Sequence, residues 1–401
     1  MSRDVTVAGG VYHERCLQPE WDRVLGSAGR GAFAIAQLAG GRVQLRGYAN
    51  SRLSDRIAVE AELADVQLNL LGTEQAVTFD YVHTLSVPHI SPPPALLKRL
   101  PDIKVENNIV IRYGMIESDV IVSANIAVYD PQSAFDAQPF RRNGSSAARL
   151  GVVLNRLEMR SITGTDNPRE GANWLFHNDG AEVVVLKMGA LGALVLTPEH
   201  QQQVPLYESD SVWKLGSGDV FSSTFAGFWA IHGKEPVEAA DLASRATAWY
   251  CNSRTLPPPT PDILMSARAK PIKPGSGRIY LAAPFFDLGQ RWLVEEARLA
   301  LIDAGADVFS PVHEIGPGKA DVVAPADLIG LDGCDVIFAI LNGMDPGTVF
   351  EVGYARKKGI PIVALAENEK EEDLKMFVGS GTMVAQDFVT AIYKAIWSLP
   401  K

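Results

Sequence analysis

Short apolar runs alternate with amphipathic segments along most of the chain. VTVAGGV, GVVLNRLEM and EVVVLKMGALGALVL in the first part, and RIYLAAPFF, CDVIFAIL and IPIVALA in the last, have the length and content of buried strands. DVFSSTFAGFWAIHG and GQRWLVEEARLALIDAG have the spacing of helices. This alternation predicts an α/β fold built on parallel, doubly wound sheets. Residues 41–115 show a more alternating pattern and predict a separate small sheet.

A proline-rich stretch interrupts these patterns between residues 253 and 278. It contains six prolines and two glycines, a composition typical of a semi-rigid spacer. A chain of 401 residues is also long for a single core. We therefore predict two domains, residues 1–256 and 277–401, joined by a linker of residues 257–276.

Composition narrows the classes of partner. The net charge is -10, and acidic chains are poorly suited to bind nucleic acid or anionic membranes. Cys16, Cys251 and Cys334 are widely separated, so neither a disulfide framework nor a thiolate metal site is predicted. No apolar run reaches the length of a membrane helix, about 18 residues, and the first residues lack a signal-peptide pattern. A cytoplasmic location is expected.

The segment LGSGDVFSS predicts an anion-binding turn at the start of a helix. Gly216 and Gly218 flank Ser217, and such a turn directs free backbone amides at an anion, aided by the helix dipole. Asp219 follows at once and is placed to accept a proton from an attacking hydroxyl. A plain turn with an Asp cap explains the same residues, so this motif alone leaves function open.

Together with its neighbours, this turn resembles the ribokinase-like (PfkB) family of sugar and nucleoside kinases. LNRLEMRSITG carries the N-x-x-E motif of that family, and LKMGALGALVL supplies a glycine-rich strand-turn-strand before the GSGD turn. The resemblance implies a ribokinase-like domain with a small β lid, in which Asp219 is the base and Glu158 contacts Mg²⁺ indirectly. The residues that it implies for ATP binding are Asn155, Glu158, Lys187, Gly189, Gly192, Gly216, Ser217 and Gly218.

The part of this family pattern that grips the sugar is altered. GSAGRGAFAIAQLAG resembles the first signature but has Gly31 where the family places an Asn that holds the sugar. Trp213 and Lys214 replace the Asp-Thr pair that begins the second signature, and Gly10 or Glu14 is nearest to the early acidic sugar contact. A different acceptor and a lost kinase activity are both open.

A second motif, DPGTVFEVGYA, predicts a carboxylate near the start of another helix. Thr348 and Glu351 spell a capping box, which by itself explains both residues. Because a helix N-terminus stabilises an anion, we expect Glu351 to be ionised and able to attack an anomeric carbon. Asp327, Asp335 and Asp345 are candidate proton donors, since ligand sites in open α/β sheets lie at strand ends.

Four ordered segments in residues 277–395 resemble nucleoside 2-deoxyribosyltransferases and related nucleotide N-glycosidases. They are IYLAAPFF, ADLIGLDGCDVIFAIL, DPGTVFEVGYA and GIPIVAL. The resemblance implies a flavodoxin-like or Rossmann-like domain without a cofactor, in which Glu351 is the nucleophile, Tyr280 orients it, and Asp327 and Asp345 surround sugar and base. The family commonly takes an Asn from a neighbouring subunit, and only Thr382 lies near that place, so hydrolysis and transfer are both open.

The two resemblances imply a bifunctional enzyme of nucleoside salvage or breakdown, with a small-molecule substrate and a tendency to self-associate. Asp345 favours an unphosphorylated nucleoside because a carboxylate repels phosphate, although Arg291 is available to compensate. His313 is interpreted as a structural histidine, with substrate contact as the alternative. In the alternative function, the N-terminal domain is an inactive regulatory module and the C-terminal domain hydrolyses a nucleotide or NAD, as in defence.

Overall fold

The structure is a computed structural model that describes residues 4–40, 42–133, 136–267, 269–273 and 275–401. Its internal contacts divide the chain into two compact units. The N-terminal unit comprises Met1–Ser209 and Trp213–Pro271, and the C-terminal unit comprises Asp210–Val212 and Ile272–Lys401. The predicted linker spans this division, and its residues 268 and 274 lie outside the described residues. The linker boundaries stay a prediction.

The secondary structure follows the predicted alternation. The strands are β1 (Val5–Ala8), β2 (His13–Cys16), β3 (Trp21–Val24), β4 (Val43–Ala49), β5 (Val66–Gly72), β6 (Thr78–Tyr81), β7 (His89–Ser91), β8 (Ile103–Tyr113), β9 (Val120–Asp130), β10 (Ser146–Asn155), β11 (Val183–Lys187), β12 (Ala193–Leu196), β13 (Gln201–Val204), β14 (Leu206–Tyr207), β15 (Pro271–Ile272), β16 (Arg278–Ala282), β17 (Asp307–Phe309), β18 (Val336–Ile340), β19 (Ile362–Leu365) and β20 (Met383–Ala385). The helices are α1 (Gly26–Ala39), α2 (Ser51–Leu63), α3 (Arg156–Thr163), α4 (Pro168–Asn178), α5 (Ser217–Ala226), α6 (Pro236–Ser253), α7 (Pro261–Ser266), α8 (Leu288–Asp303), α9 (Pro311–Glu314), α10 (Ala320–Asp332), α11 (Pro346–Lys358), α12 (Glu371–Gly379) and α13 (Phe388–Trp397). A π-helical turn, Gly227–Ile231, continues α5.

The N-terminal unit is built on a large, mostly parallel sheet. Over the described residues its strand order is β13-β12-β11-β10-β9-β8-β1-β4-β5; the pairs β11–β12 and β12–β13 are antiparallel and the other pairs are parallel. Val152 and Val153 enter different hydrophobic clusters, with α1, α5 and α6 supplying one and α3 and α4 the other. Successive side chains of a strand point to opposite faces, so burial on both faces explains the uninterrupted apolar runs.

The small sheet has a different origin from the one predicted. Its strand order is β3-β2-β6-β7, so it combines residues 13–24 with residues 78–91. Residues 41–115 instead contribute β4, β5 and β8 to the large sheet. The prediction of a separate sheet from that region is therefore wrong in its extent, because its strands pair in parallel with partners distant in sequence.

The C-terminal unit is a five-stranded sheet in the described residues, with order β17-β16-β18-β19-β20 and parallel pairing throughout. Numbered along this unit, the order is 2-1-3-4-5, which is the flavodoxin-like doubly wound arrangement. The α/β prediction is confirmed for both units. Among the helices that the structure describes, none combines the length and apolar character needed to cross a membrane.

Candidate active sites

The C-terminal site lies at the point where the strand order reverses. β16 pairs in parallel with β17 on one side and with β18 on the other, and chain connections leave these strands in opposite directions. Ligands of open α/β sheets bind in the crevice at such a switch point. Tyr280 lies within β16, and α11 follows β18, so both elements direct side chains to this crevice.

The start of α11 differs from the predicted capping box. Asp345, not Thr348, is the N-cap: its carboxylate accepts the Thr348 amide at 2.8 Å and the Thr348 hydroxyl at 3.1 Å. Pro346 occupies the first helical position, where its missing N–H costs nothing. The capping-box interpretation of Thr348 and Glu351 is therefore wrong. Glu351 lies in the second turn of α11, and its carboxylate is available for other contacts.

Glu351 bonds to Tyr280 across the crevice. The Tyr280 hydroxyl donates to Glu351 Oε1 at 2.6 Å. Tyr280 is fully buried, and its ring stacks on Phe309 with centroids 5.5 Å apart. Phe309 was not singled out in the sequence, although its place at the end of an apolar run before Ser310 was a usable signal. This packing fixes the hydroxyl, so the hydrogen bond sets the direction of the Glu351 carboxylate.

The pKa of Glu351 is raised to about 7. Burial is the main cause, and the charges of Asp327 and Asp345 add to it, while the Tyr280 hydrogen bond opposes it. The expectation of a fully ionised Glu351 therefore needs correction. The helix dipole is weaker here than desolvation, because Glu351 lies one turn beyond the free amides of α11.

Asp327 completes the group. It lies on α10, its Oδ1 is buried with no hydrogen-bond partner among the described residues, and burial raises its pKa. An acidic oxygen in that condition favours the protonated form, which can donate to a leaving group. Asp335 is elsewhere: it precedes β18, at the amino edge of the sheet, and accepts the Arg278 amide at 2.8 Å.

His313 has protein partners on both ring nitrogens. Its Nε2 lies 2.6 Å from Glu295 Oε1, and its Nδ1 lies 2.9 Å from Ser310 Oγ. These contacts favour the structural interpretation of this histidine. Arg291, considered as a phosphate contact, donates from Nε to the Phe285 carbonyl at 2.9 Å.

The N-terminal site is built around the start of α5. Gly216 is the N-cap in the left-handed region, with φ of 73°, and a Cβ there would overlap the guanidinium of Arg30. Both conditions require glycine at this position. On the other side of the turn, the Cβ position of Gly218 lies 3.6 Å from Lys187 Nζ. The turn therefore lies between two cationic side chains, and the Ser217 amide donates to the Lys214 carbonyl at 3.0 Å.

Arg30 holds Asp219 in a buried ion pair. Arg30 Nη1 donates to Asp219 Oδ2 at 2.6 Å and to Glu14 Oε1 at 3.3 Å, and Nη2 donates to Glu14 Oε2. Its Nε donates to the Tyr250 hydroxyl at 3.2 Å. Burial raises the pKa of Asp219 and of Glu14, while Arg30 opposes both shifts. Arg30 was missed in the sequence, where one charge in the apolar segment GSAGRGAFAIAQLAG was the available signal.

A second ion pair lies on the Lys187 side. Lys187 Nζ is 2.6 Å from Asp130 Oδ2, and Ser222 Oγ donates to the same oxygen. Asp130 is fully buried at the end of β9, and its Oδ1 has no partner among the described residues. Burial lowers the pKa of Lys187, but the charges of Asp130 and Glu158 outweigh it, and the net shift is upward. Asp130 is the second residue that sequence reasoning missed.

Asn155 and Glu158 form a capping box at the start of α3. Asn155 Oδ1 accepts the Glu158 amide at 2.9 Å, and Glu158 Oε2 accepts the Asn155 amide at 2.7 Å. Burial raises the pKa of Glu158 to about 7, with Lys187 opposing and Asp130 adding to the shift. These residues thus have a structural role whatever else they bind. Among the described residues, no group of three or more His, Cys, Asp or Glu side chains is arranged to hold a metal ion.

The remaining predicted positions are explained by the backbone and by packing. Gly189 and Gly192, both with positive φ, form the turn between the antiparallel strands β11 and β12. A Cβ on Gly31 would lie 2.5 Å from Ser223 Oγ and 2.7 Å from the Tyr113 ring. Trp213 is buried against Trp21, with ring centroids 5.0 Å apart.

Comparison with known proteins assigns a family to each region. Residues 279–388 match the family described as nucleoside 2-deoxyribosyltransferase, and residues 150–262 match the pfkB family of carbohydrate kinases. No curated protein matches the chain. The structure of Arabidopsis thaliana ribokinase complexed with ribose and ATP is similar at 15% identity, over 66% of this chain and 98% of that chain, with a TM-score of 0.50.

Two further kinases align over the same share of the chain. A fructokinase double mutant from Vibrio cholerae O395, in a form bound to fructose, ADP and potassium, has 16% identity, 66% and 98% coverage and a TM-score of 0.48. Ribokinase from Cryptococcus neoformans, in complex with ADP, has 16% identity, 66% and 99% coverage and a TM-score of 0.48. At these identities the likeness shows the fold alone. Residues 150–262 thus match the pfkB carbohydrate kinase family and residues 279–388 match the nucleoside 2-deoxyribosyltransferase family, in the order that the two resemblances imply.

Proposed function

We propose that the C-terminal unit cleaves the N-glycosidic bond of a nucleoside, with Glu351 as the nucleophile. The hydrogen bond from the buried Tyr280 hydroxyl to Glu351, at 2.6 Å, is the observation that carries this proposal. It aims a carboxylate into the crevice of the switch point, where ligands of this fold class bind. Asp327 and Asp345 both lie close enough to Glu351 that their ionised forms raise its pKa.

The reaction has two steps. An oxygen of Glu351 attacks the anomeric carbon while the bond to the base breaks; the base leaves with the bonding electrons and takes a proton from Asp327. Water then attacks the anomeric carbon, returns a proton to Asp327 and releases Glu351 as a carboxylate. Asp327 is the donor that we favour because one of its oxygens is buried without a partner. A second base in place of water gives transfer instead of hydrolysis.

Asp345 bears on the choice of substrate. Its carboxylate caps α11 beside Glu351, and a phosphate bound there would meet two acidic groups. These two acidic groups favour an unphosphorylated nucleoside over a nucleotide or NAD. Arg291 is exposed and uses Nε for the Phe285 carbonyl, so its two Nη groups are the donors that would compensate for a phosphate.

A screen of base release tests this choice. Ribonucleosides, deoxyribonucleosides, their 5′-monophosphates and NAD are incubated with the full chain, with and without ATP, and free base is quantified by chromatography. We expect nucleosides to be cleaved at least tenfold faster than the matching monophosphates. Faster cleavage of monophosphates, or nicotinamide release from NAD alone, would contradict the Asp345 argument and support the nucleotide or NAD alternative. A second free base added to the same reactions separates transfer from hydrolysis.

The pH dependence of base release tests the pairing of acid and nucleophile. Glu351 must be ionised to attack, so kcat/KM is expected to fall as the pH drops through about 7, the pKa that burial gives it. Tyr280→Phe removes the hydrogen bond that stabilises ionised Glu351. The pKa of Glu351 then rises, and the fall in kcat/KM on the acidic side of the profile moves to higher pH. Asp345→Asn removes a raising charge, keeps a capping side chain, and moves the limb to lower pH. Identical profiles in all three proteins would reject this electrostatic account.

For the N-terminal unit, we infer that it binds ATP with Mg²⁺ at the start of α5. The N-terminal end of that helix, Lys187 and the unpartnered oxygen of buried Asp130 form a polar group suited to phosphates and a cation. When bound, ATP and Mg²⁺ supply the phosphoryl group and neutralise its charge. Asp219 would act as the base toward an acceptor hydroxyl once it is released from its buried ion pair with Arg30, and Glu158 would be the carboxylate near the metal.

Linking a kinase-like unit that binds a phosphate donor to a glycosidase unit in one chain points to a role in nucleoside salvage or breakdown. A regulatory module that binds nucleotide without transferring phosphate is the alternative for the N-terminal unit. Self-association remains an expectation from the deoxyribosyltransferase resemblance.

A further inference from the structure

The carboxylate assigned as the kinase base is enclosed by protein side chains. Asp219 and Glu14 are each 5% exposed, and the guanidinium between them belongs to Arg30, which is 1% exposed. Arg30 reaches Asp219 at 2.6 Å and also bonds to Glu14 and Tyr250. Every nitrogen of this guanidinium therefore has an acceptor, and the two acids share one counterion.

This cluster lies on the acceptor side of the α5 turn. The guanidinium packs against Gly216, whereas Lys187 packs against Gly218 and belongs with Asp130 to the phosphate side. A hydroxyl that donates its proton to Asp219 must come within about 3 Å of that carboxylate. Arg30 already occupies one of the two oxygens of this carboxylate, Oδ2, and lies against the acceptor side of the turn.

Residue 31 on α1 provides no side chain that could hydrogen-bond a sugar, because it is glycine. Gly31 follows Arg30 on α1, and even a Cβ at this position would lie 2.5 Å from Ser223 Oγ and 2.7 Å from Tyr113. The Tyr113 hydroxyl also donates to the Asp219 carbonyl at 2.8 Å. Ser223 and Tyr113 thus fill the space that a longer side chain at residue 31 would need.

Displacing Arg30 is costly. A buried cation paired with two carboxylates is strongly disfavoured once one partner is lost, because an uncompensated charge remains out of water. A neutral carbohydrate brings no charge to replace the guanidinium. An acceptor of that class therefore has no means of releasing Asp219.

We propose that Arg30 is a specificity-determining residue that occupies the acceptor position, so that the N-terminal unit binds the phosphate donor without phosphorylating neutral sugars or nucleosides. The proposal rests on the donor site inferred above, and it names what that site excludes. Removal of the Arg30 guanidinium together with the negative charge of Glu14 makes room for an acceptor hydroxyl beside Asp219. The Asp219 carboxylate is then available as a base.

The test compares the wild type with Arg30→Ala/Glu14→Gln, which removes one positive and one negative charge and so keeps the net charge of the cluster. ADP binding is measured by calorimetry, and transfer from radiolabelled ATP is measured to ribose, fructose, myo-inositol and the common ribonucleosides. We expect both proteins to bind ADP with Kd values within about threefold. We expect no transfer by the wild type, and at least a tenfold gain in the double variant that Asp219→Asn abolishes.

Two results would overturn the proposal: rapid transfer by the wild type, or a folded double variant that binds ADP and gains no transfer. If the double variant does not melt cooperatively, the ADP-binding and transfer assays of the wild type test the proposal. ADP binding without transfer by the wild type supports the proposal, and transfer refutes it. A wild type that does not bind ADP refutes the donor site itself and, with it, this inference. Transfer by the wild type leaves the donor site standing and removes only the role of Arg30.

Discussion

Glu351→Gln is expected to abolish base release, lowering kcat by at least about a thousandfold, as the loss of a covalent nucleophile does in other enzymes. The amide keeps the size of the side chain and still accepts the Tyr280 hydrogen bond, so the packing of Tyr280 on Phe309 is preserved. What it removes is the negative oxygen that attacks the anomeric carbon. Initial rates of base release from the best nucleoside of the screen measure the effect.

Asp332→Asn is the matched control for this substitution. Asp332 ends α10 in the same unit, but its carboxylate faces solvent and pairs with Lys358 at 3.0 Å. Exposed pairs of this kind contribute little to stability because water and salt screen them. The control is expected to retain the wild-type rate within twofold. Equal losses in both variants would show that any carboxylate change in this unit impairs activity, and the assignment of Glu351 would fail.

Gly216→Ala is expected to destabilise the N-terminal unit by about 2–5 kcal/mol, combining left-handed backbone strain with overpacking. The φ of Gly216 is 73°, and the new methyl group would overlap the Arg30 guanidinium, which ion pairs hold in place. Urea unfolding followed by tryptophan fluorescence measures this change, because five of the seven tryptophans lie in the N-terminal unit. These are Trp21, Trp174, Trp213, Trp229 and Trp249.

Gly40→Ala separates the two causes. Gly40 has a similar φ of 64°, but nothing lies within 4 Å of its Cβ position, so only backbone strain of about 1 kcal/mol is expected. The difference between the two variants then reports the contact with Arg30. If Gly216→Ala unfolds at the same urea concentration as Gly40→Ala, Arg30 is not held against the α5 turn, and the arrangement of the acceptor side is wrong.

The architecture and the C-terminal crevice were accessible from the sequence because both follow from local patterns. Apolar runs of strand length predict buried strands, and in a parallel sheet the residues after each strand meet at one edge. Asp345 and Glu351 follow β18 and reach the crevice for that reason, whereas Tyr280 lies within β16 and Asp327 reaches the crevice from α10. The cap of α11 was also readable, since Asp345 followed by Pro346 is a normal N-cap and first-turn pair.

The features that the sequence did not reveal depend on contacts between distant residues. Arg30 meets Glu14 and Asp219, which lie 16 and 189 positions away, and no local pattern marks such an ion pair. The pKa of Glu351 depends on burial that only the packed crevice provides. The small sheet joins residues 13–24 to residues 78–91 through the parallel pair β2–β6. Parallel strands are not connected by a tight turn, so no turn motif in the sequence predicts this pairing.

The glycosyl-enzyme intermediate gives the most direct measurement of the central claim. A 2′-fluoro-arabinonucleoside slows the second step, so the full chain is incubated with it, digested at low pH and examined by peptide mass spectrometry. We predict one added fluoropentosyl group, in ester linkage to Glu351, that is absent from Glu351→Gln and is lost when an unmodified base is added. Normal turnover of nucleosides with no adduct on any carboxylate, or with the adduct on another residue, would contradict the assignment of Glu351 as the nucleophile.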